Sequence, residues 1–229
     1  MKKNNSYKNY VNYFQKWDGA GAFGIGLMVL GFWLIWMGWQ FIPFAYPLAM
    51  LMIPVGIVLF FYGNTGRASE ADLQNLIEKS KDKIHFHELE EVPALRKRTP
   101  KNPTEQIFEG YALKKGVLFK KMKNGSICSS EYEIAKMVTL NDGFYVKILH
   151  FSFLSDEHEI VAYDIPFASL ESITAERKSI NLMKGQVPYP AKTCHLVFTY
   201  DNGKKVKLPA KDDIYLDELI EKLKRTAGI

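Results

Sequence analysis

The residues with the clearest potential for chemistry lie in the segment HFHELEE, residues 85–91. His85 and His87 are two positions apart, and Glu88 and Glu90 follow them. Imidazole and carboxylate groups are metal ligands, but a spacing of two places side chains on one face only in a β-strand. No cysteine or third histidine is near in sequence. A solvated turn after a helix explains the segment better, so no bound metal is expected.

The other residues that can take part in catalysis are scattered. His150, His158 and His195 each stand alone within strand-like patterns. The sequence has no glycine-rich phosphate loop, no Gly-x-Ser-x-Gly turn and no paired-carboxylate motif. The glycines of residues 19–26 (GAGAFGIG) superficially resemble a dinucleotide-binding loop, but they follow no strand and lie in an apolar run. The sequence therefore predicts a protein without enzymatic activity and without a cofactor.

Cysteine and charge content limit the remaining classes. Cys128 and Cys194 are the only cysteines, and they form neither a disulfide framework nor a metal-binding pattern. Two free thiols fit a reducing cytosol, although one disulfide in an oxidising compartment is left open. The net charge is +5, yet residues 104–229 carry 18 basic and 17 acidic side chains. A nucleic-acid-binding domain would be basic, so nucleic acid is not an expected partner.

The element that must position everything else is an apolar run from Gly19 to Gly66. These 48 residues contain no Asp, Glu, Lys or Arg. About 20 apolar residues in a helix cross a bilayer core of about 30 Å, so the run fits two membrane spans joined by a short return. The spans are predicted at Gly19–Trp39 and Pro47–Tyr62, which makes residues 19–63 a helical transmembrane hairpin. The run is far too long for a cleavable signal peptide.

Small residues and prolines mark features of these two spans. Gly24, Gly31 and Gly38 recur every seven residues, so they form a helix-packing stripe that lets another helix approach closely. This stripe is expected to face the second span or a second copy of the protein. The return is predicted at Gln40–Tyr46, and Pro54 predicts a kink in the second span.

The flanks of the apolar run predict its orientation. Residues 1–18 contain four lysines and one aspartate, and Arg67 follows the second span, whereas the return has no charge. Lys and Arg that flank a span stay on the cytoplasmic side. The chain is therefore predicted to cross the cell membrane twice, with both termini cytoplasmic.

The N-terminal segment, residues 1–18, has a pattern of its own. Tyr7, Tyr10, Val11, Phe14 and Trp17 follow a helical period, with lysine and asparagine on the other side. One interpretation is an amphipathic helix that lies in the headgroup region of the membrane. The other is that the first span begins early and that these aromatic residues form its interfacial belt.

Residues 69–103, after the spans, are predicted to form a stalk helix and a linker. Ser69 and Asp72 resemble a helix-capping box, and an apolar stripe runs from Leu73 to Ile84, so the helix is expected at 69–84. The segment Ala94–Pro103 has four basic residues and two prolines, a composition typical of a linker.

Residues 104–229 change to a β-strand pattern. Three turn pairs favour β-hairpins, and they are Asn124-Gly125, Asp142-Gly143 and Asn202-Gly203. Eight strands are predicted from the apolar and β-branched runs, at 105–113, 117–122, 131–140, 144–153, 158–165, 170–177, 194–200 and 204–209. A final amphipathic helix is predicted at 212–226, and its apolar face consists of Leu216, Leu219, Ile220 and Leu223.

This order of elements, with the segment YDIPFASLESITAERKSI at 163–180, resembles the pleckstrin-homology (PH)-like domains of bacterial membrane proteins. The segment combines an extended stretch, a Pro-Phe turn and a strand that begins at Leu170. Such domains often follow one or two membrane spans. The resemblance covers about residues 105–227 and implies a bent sheet of seven to eight antiparallel strands, closed at one end by the C-terminal helix. It implies no reaction, because a fold does not determine a function.

Five lysines are the candidate binding residues of this domain: Lys114, Lys115, Lys120, Lys121 and Lys123. In PH domains that bind inositol phosphates, basic residues of the first hairpin hold the phosphates, so the resemblance implies contact with an anionic lipid headgroup. Each lysine near an anionic membrane contributes about 1 kcal/mol. The alternative is that these lysines protect exposed strand edges from aggregation.

The function favoured by the sequence is that of a non-enzymatic integral membrane protein. It presents a PH-like domain at the cytoplasmic face for protein–protein interaction or self-assembly. Two alternatives remain. One is a reader of anionic lipid through residues 114–123, and the other is an accessory subunit of a membrane transporter or membrane enzyme. The lipid bilayer is a partner in every case.

Overall fold

The computed structural model describes residues 4–16, 19–40, 45–184 and 186–229. The chain divides into two compact units, unit 1 (Met1–Ser69) and unit 2 (Glu70–Ile229), and each is described separately. Trp17 and most of the predicted return lie outside the described residues.

The helices of unit 1 are α1 (Asn4–Gln15), α2 (Ala20–Gln40) and α3 (Ala45–Asn64). α2 and α3 are long and apolar enough to cross a membrane, which confirms the prediction of two such helices. α3 has 20 residues and is longer than the predicted second span. Pro47 lies in its first turn, where a helix does not need the missing N–H, so the helix begins before this proline.

The N-terminal helix packs against the end of α3. α1 ends before α2 begins, so it is a helix of its own and not an early start of α2. The Lys16 ammonium donates hydrogen bonds to the carbonyls of Tyr62 and Thr65, at 3.1 and 3.0 Å. The Asn12 amide donates to the Gly66 carbonyl at 2.7 Å. These groups satisfy carbonyls at the negative, C-terminal end of α3.

Four helices belong to unit 2: α4 (Glu70–Lys81), α5 (Glu88–Glu91), α6 (Pro93–Arg98) and α7 (Ile214–Ala227). α6 lies in the stretch whose composition predicted a linker. Arg98 explains the difference, because its guanidinium pairs with Asp142 and Asp164, each at 2.6 Å. These carboxylates are 44 and 66 residues away in sequence, so local composition gives no sign of them.

The described residues of unit 2 also form nine antiparallel strands, one more than predicted. They are β1 (Glu105–Tyr111), β2 (Phe119–Lys121), β3 (Ile127–Ser129), β4 (Glu131–Thr139), β5 (Gly143–Ser152), β6 (His158–Pro166), β7 (Leu170–Lys184), β8 (Val187–Tyr200) and β9 (Lys205–Pro209). A four-stranded sheet has the order β1-β4-β5-β6, a three-stranded sheet has the order β7-β8-β9, and β2 pairs with β3.

The main core of unit 2 lies between the two larger sheets and α7. Phe144 of the first sheet and Phe198 of the second are fully buried, with ring centres 5.5 Å apart. α7 contributes Leu216, Ile220 and Leu223, the apolar face predicted from its period, whereas Leu219 is only half-buried. α7 begins where the Asp213 carboxylate accepts a hydrogen bond from the Leu216 N–H at 3.1 Å.

Candidate functional site

The five candidate lysines lie on and beside the small β2–β3 sheet. Lys114 and Lys115 are in the segment that joins β1 to β2, Lys120 and Lys121 are in β2, and Lys123 is in the turn before β3. All are exposed except Lys120, which is half-buried. The structure therefore places the predicted binding residues on one short β-ribbon and its approach.

Glu131 and Glu70 contact residues of this lysine group. The Lys114 ammonium pairs with Glu131 at 2.6 Å. The backbone N–H of Lys123, not its ammonium, donates to Glu70 at 3.2 Å. The charge of Lys123 thus remains directed to solvent, since its side chain is exposed.

A small hydrophobic cluster joins the β2–β3 sheet to the long β7–β8 ribbon. Phe119, Leu182 and Ala191 are buried together, and the rings of Phe119 and Tyr189 are 5.6 Å apart. β9 pairs only with residues 195–199 of β8, so the outer part of the ribbon extends beyond the sheet. We name the joined surface, residues 112–128 and 178–193, the two-ribbon platform.

Sequence reasoning missed β3 and the outer part of the β7–β8 ribbon. The predicted strands stopped at residue 177 and resumed at 194. The missed stretch contains Pro188 and Pro190, and proline is rare in paired strands. Proline is tolerated here because this part of β8 has one neighbour, so alternate N–H groups have no ladder partner. The alternation of Ile180 and Leu182 was the signal that could have extended β7.

Charge is divided unevenly within unit 2. The two-ribbon platform holds eight lysines and no acidic residue. The other residues of 70–229 carry 17 basic and 24 acidic side chains. Unit 2 as a whole is nearly neutral, but the platform has a net charge of +8 and the rest of unit 2 has a net charge of −7.

A groove of about 440 Å³ beside Lys114 contains a carboxylate–imidazole pair that the sequence did not indicate. His150 Nδ1 and Glu133 Oε1 are 3.2 Å apart on β5 and β4. The hydrogen bond with Glu133 raises the pKa of His150. Burial raises the pKa of Glu133, but the hydrogen bond and charge of His150 outweigh burial and lower it. The Ser152 hydroxyl in this groove bonds to the Ser130 carbonyl at 3.4 Å, so it does not extend the pair to a catalytic triad.

The HFHELEE segment is attached to the sheet by a buried lysine. Lys147 of β5 donates to both oxygens of Glu88, at 2.5 and 2.6 Å, and to the His85 carbonyl at 2.6 Å. Burial raises the pKa of Glu88, and the hydrogen bond from Lys147 more than offsets this effect, so the pKa is lowered. Within the described part of the chain, no three His, Cys, Asp or Glu side chains are grouped to hold a metal ion. The segment thus has a visible structural role.

The described glycines of the predicted stripe face α3. A Cβ added at Gly24 would lie 2.5 Å from the Gly56 carbonyl oxygen and 2.6 Å from the Phe60 backbone nitrogen. One added at Gly31 would lie 2.7 Å from the Ile53 side chain. α2 and α3 thus approach each other at distances that only glycine permits. Gly38 lies in α2, and its surroundings fall outside the described side chains.

Three comparisons with known proteins identified no relative of this chain. No known family, no curated protein and no solved structure matches the chain. The functional argument therefore depends on two features of the structure itself, the pair of apolar helices and the uneven charge of unit 2.

Proposed function

We propose that this chain is a membrane-anchored, non-enzymatic protein that presents unit 2 at the cytoplasmic face for contact with another protein or another copy of itself. The observation that carries the proposal is the outward surface of α2 and α3. Met50 is 71 % exposed and Val58 is 67 % exposed, and large apolar side chains cover both helices. A helix that is apolar all round is stable when it is buried in protein or in a bilayer. Lipid is the environment that fits this surface.

The helix pair also suits a bilayer in its internal contacts. Hydrophobic attraction between helices is weak in lipid, so close packing through small residues carries the association. Gly24 and Gly56 provide such packing, because each would place a Cβ against the backbone of the other helix. All backbone hydrogen bonds of a helix are internal, which is the condition for crossing hydrocarbon. These features support α2 and α3 as a transmembrane hairpin.

The contacts of α1 support the orientation with both termini on one side. Lys16 binds carbonyls at the C-terminal end of α3, so Lys16 and the exit from α3 lie at the same end of the helix pair. Arg67 follows directly. Positive residues concentrate on the cytoplasmic side of membrane proteins, which favours a cytoplasmic location for unit 2.

The topology of unit 2 supports a PH-like assignment. β2 and β3 form an insertion between β1 and β4. Without this insertion, seven antiparallel strands in two sheets are followed by a C-terminal helix that packs on the core. This is the order of elements that the resemblance implies. A unit of this kind binds partners through its surface, and nothing in its described groove assembles a nucleophile with the Glu133–His150 pair.

Cysteine labelling tests the anchor and its orientation. Cys128 and Cys194 are buried, so the wild-type chain gives a low background with a membrane-impermeant maleimide. We expect Tyr46→Cys, at the start of α3, to react in intact cells, and Asn202→Cys, in the β8–β9 turn, to react only in inverted vesicles. Labelling of Asn202→Cys in intact cells contradicts the cytoplasmic placement. Release of the protein by alkaline washing contradicts the anchor.

The mass of the full chain in mild detergent tests the self-assembly part of the proposal. Light scattering separates the protein mass from the bound detergent. A dimer or larger assembly that persists on dilution supports binding between copies. A monomer at every concentration excludes self-assembly and leaves a different protein as the partner.

A further inference from the structure

We propose that the two-ribbon platform is a second membrane contact, which binds the surface of an anionic bilayer. The inference rests on the proposed membrane anchor, which would keep unit 2 close to a bilayer. It includes the five lysines of the sequence-based hypothesis and extends them to a second ribbon. The outer β7–β8 ribbon and its exposed apolar end were not part of the predicted site.

The first argument is charge. The platform has eight lysines and no acidic residue, whereas the rest of unit 2 has an excess of seven acidic side chains. At its border, Glu131 pairs with Lys114, Glu176 pairs with Lys178, and Glu70 accepts from a backbone N–H. Lys115, Lys121 and Lys192 are exposed. An anionic lipid surface attracts clusters of lysine, and the ammonium groups of these residues provide the positive charge.

The second argument is the apolar end of the ribbon. Met183 is 59 % exposed and Val187 is 55 % exposed, and both lie at the end of the ribbon. Leu182 and Ala191 are buried against Phe119, and Tyr189, the cross-strand partner of Leu182, contacts the Phe119 ring, so these side chains already hold the ribbon in place. Met183 lies on the opposite face, and Val187 lies at the last pair of the ribbon, beyond this cluster. Apolar side chains next to lysines are the combination that inserts into the headgroup region.

The residue types favour lipid over nucleic acid or a phosphorylated protein. The platform contains no arginine. Arginine provides the planar, two-point hydrogen bonding by which proteins recognise individual phosphates. Lysine acts as a point charge, which suits diffuse attraction to a charged surface. Aliphatic Met183 and Val187 give no stacking surface for bases, and the ring of Tyr189 packs against Phe119. Met183 and Val187 can instead enter the boundary between headgroups and acyl chains.

The test places a reporter at the end of the ribbon in the full chain. Met183→Cys, labelled with a fluorophore, is reconstituted into lipid nanodiscs that contain a nitroxide-labelled lipid as quencher. Asn202→Cys in the β8–β9 turn is the matched control position. We expect strong quenching at residue 183 and little at residue 202 in discs of phosphatidylcholine with phosphatidylglycerol. In discs of phosphatidylcholine alone, and at high salt, the quenching at residue 183 is expected to fall.

Charge variants sharpen the test. Lys121→Gln combined with Lys192→Gln removes one ammonium from each ribbon, and we expect the contact equilibrium to weaken about thirtyfold. Lys204→Gln combined with Lys205→Gln removes two exposed lysines outside the platform and should leave the quenching unchanged. Equal effects of the two pairs would show that the total charge acts, and not the platform.

Three further outcomes overturn the inference. Absent quenching at residue 183 in anionic discs means that the platform does not reach the lipid. Equal quenching in neutral and anionic discs removes the role of charge. A signal that rises with the number of protein copies per disc, and not with lipid charge, identifies a second copy as the occupant. Failure of the chain to enter discs at all contradicts the membrane anchor instead, so the two failures are distinguishable.

Discussion

Units 1 and 2 use similar apolar residues on opposite sides of their structures. In α2 and α3 the large side chains, such as Trp36 and Met50, point outward. In unit 2, Phe144 and Phe198 point inward and are fully buried. Helices satisfy their backbone hydrogen bonds internally and can expose apolar side chains to lipid. A sheet in water must cover its apolar face, so the content of apolar residues alone does not decide where they lie.

The chain contains separate natural probes for the two units. All four tryptophans are in residues 1–69, and both cysteines are in residues 70–229. Cys128 and Cys194 are buried, so their reaction with a thiol reagent reports the opening of unit 2. Tryptophan emission reports the surroundings of unit 1. Each prediction below uses this division to compare the units in one sample.

The largest effect is expected from truncating a core phenylalanine. Phe198→Ala should destabilise unit 2 by about 3–5 kcal/mol, because a buried ring leaves a cavity in the core. The reaction rate of Cys128, which lies outside that core cluster, should rise at least about a hundredfold. Phe32→Ala in α2 is the matched control, since Phe32 is exposed. An equal rise in the two variants would contradict the division into inward and outward apolar surfaces.

The next effect is expected at the glycine contact of unit 1. Gly24→Leu would press a side chain against the α3 backbone, which should destabilise the helix pair by about 1–3 kcal/mol. The measurement is the midpoint of the tryptophan emission change in a detergent denaturation series. Gly26→Leu is the matched control, because a Cβ at Gly26 meets no atom within 4 Å. Thiol reactivity should stay unchanged in both variants, and equal midpoints for them would contradict the packing role of the stripe.

Regular patterns made part of this fold predictable. The uncharged run of 48 residues predicted two apolar helices, because its length and lack of charge match what two bilayer crossings require. The helical spacing of Leu216, Ile220 and Leu223 predicted α7, since an amphipathic helix must bury its apolar face. Both signals are local in sequence. They need no knowledge of which distant residues meet.

The parts that sequence reasoning missed depend on distant contacts. α6 depends on Arg98 reaching two carboxylates, and the β7–β8 ribbon depends on Leu182 packing against Phe119. The five lysines of the candidate site could be named from the sequence, through the resemblance to PH-like domains. The second half of the platform could not, because it joins them only through that buried cluster. The Glu133–His150 pair was also hidden, since it depends on the register of β4 with β5.

A smaller effect is expected from two arginine ion pairs of unit 2 that differ in exposure. Arg98 is 22 % exposed and binds Asp142 and Asp164, whereas Arg177 is 43 % exposed and binds Asp212 and Asp217. Arg98→Ala should destabilise unit 2 by about 1–3 kcal/mol, because shielded, charge-assisted hydrogen bonds are lost.

The more exposed arginine provides the control for this prediction. Arg177→Ala should change stability much less than Arg98→Ala, since water and salt screen exposed ion pairs. Thiol reaction rates measure both variants at the same pH. A larger effect of Arg177→Ala would mean that exposure does not rank these contacts. Tryptophan emission should not change, because neither arginine belongs to unit 1.

The smallest effect is a pH dependence confined to unit 2. The pKa of His150 is raised by Glu133 above its ordinary value of 6.5. The stabilisation that comes from the His150 proton is therefore fully present below pH 6.5. This stabilisation is lost as the pH rises through the folded pKa. The pKa of Glu133 is lowered below 4.5, so its contribution is lost only as the pH falls through that lower value. The pair should therefore stabilise most between about pH 4.5 and pH 6.5.

The variant His150→Gln isolates the contribution of this pair to the pH dependence of stability. Nearby His195 has a pKa that burial lowers, so its own contribution changes with pH in the opposite direction. The variant should open faster than wild type at pH 6, by less than about fivefold, and the difference should shrink at pH 8. Thiol reaction rates are compared between the two proteins at each pH, because the ionisation of the cysteine thiols then affects both rates equally. His158→Gln, at an exposed histidine of β6, is the matched control. If the ratio of the thiol reaction rates of variant and wild type does not change with pH, protonation of His150 does not contribute to the stability of unit 2.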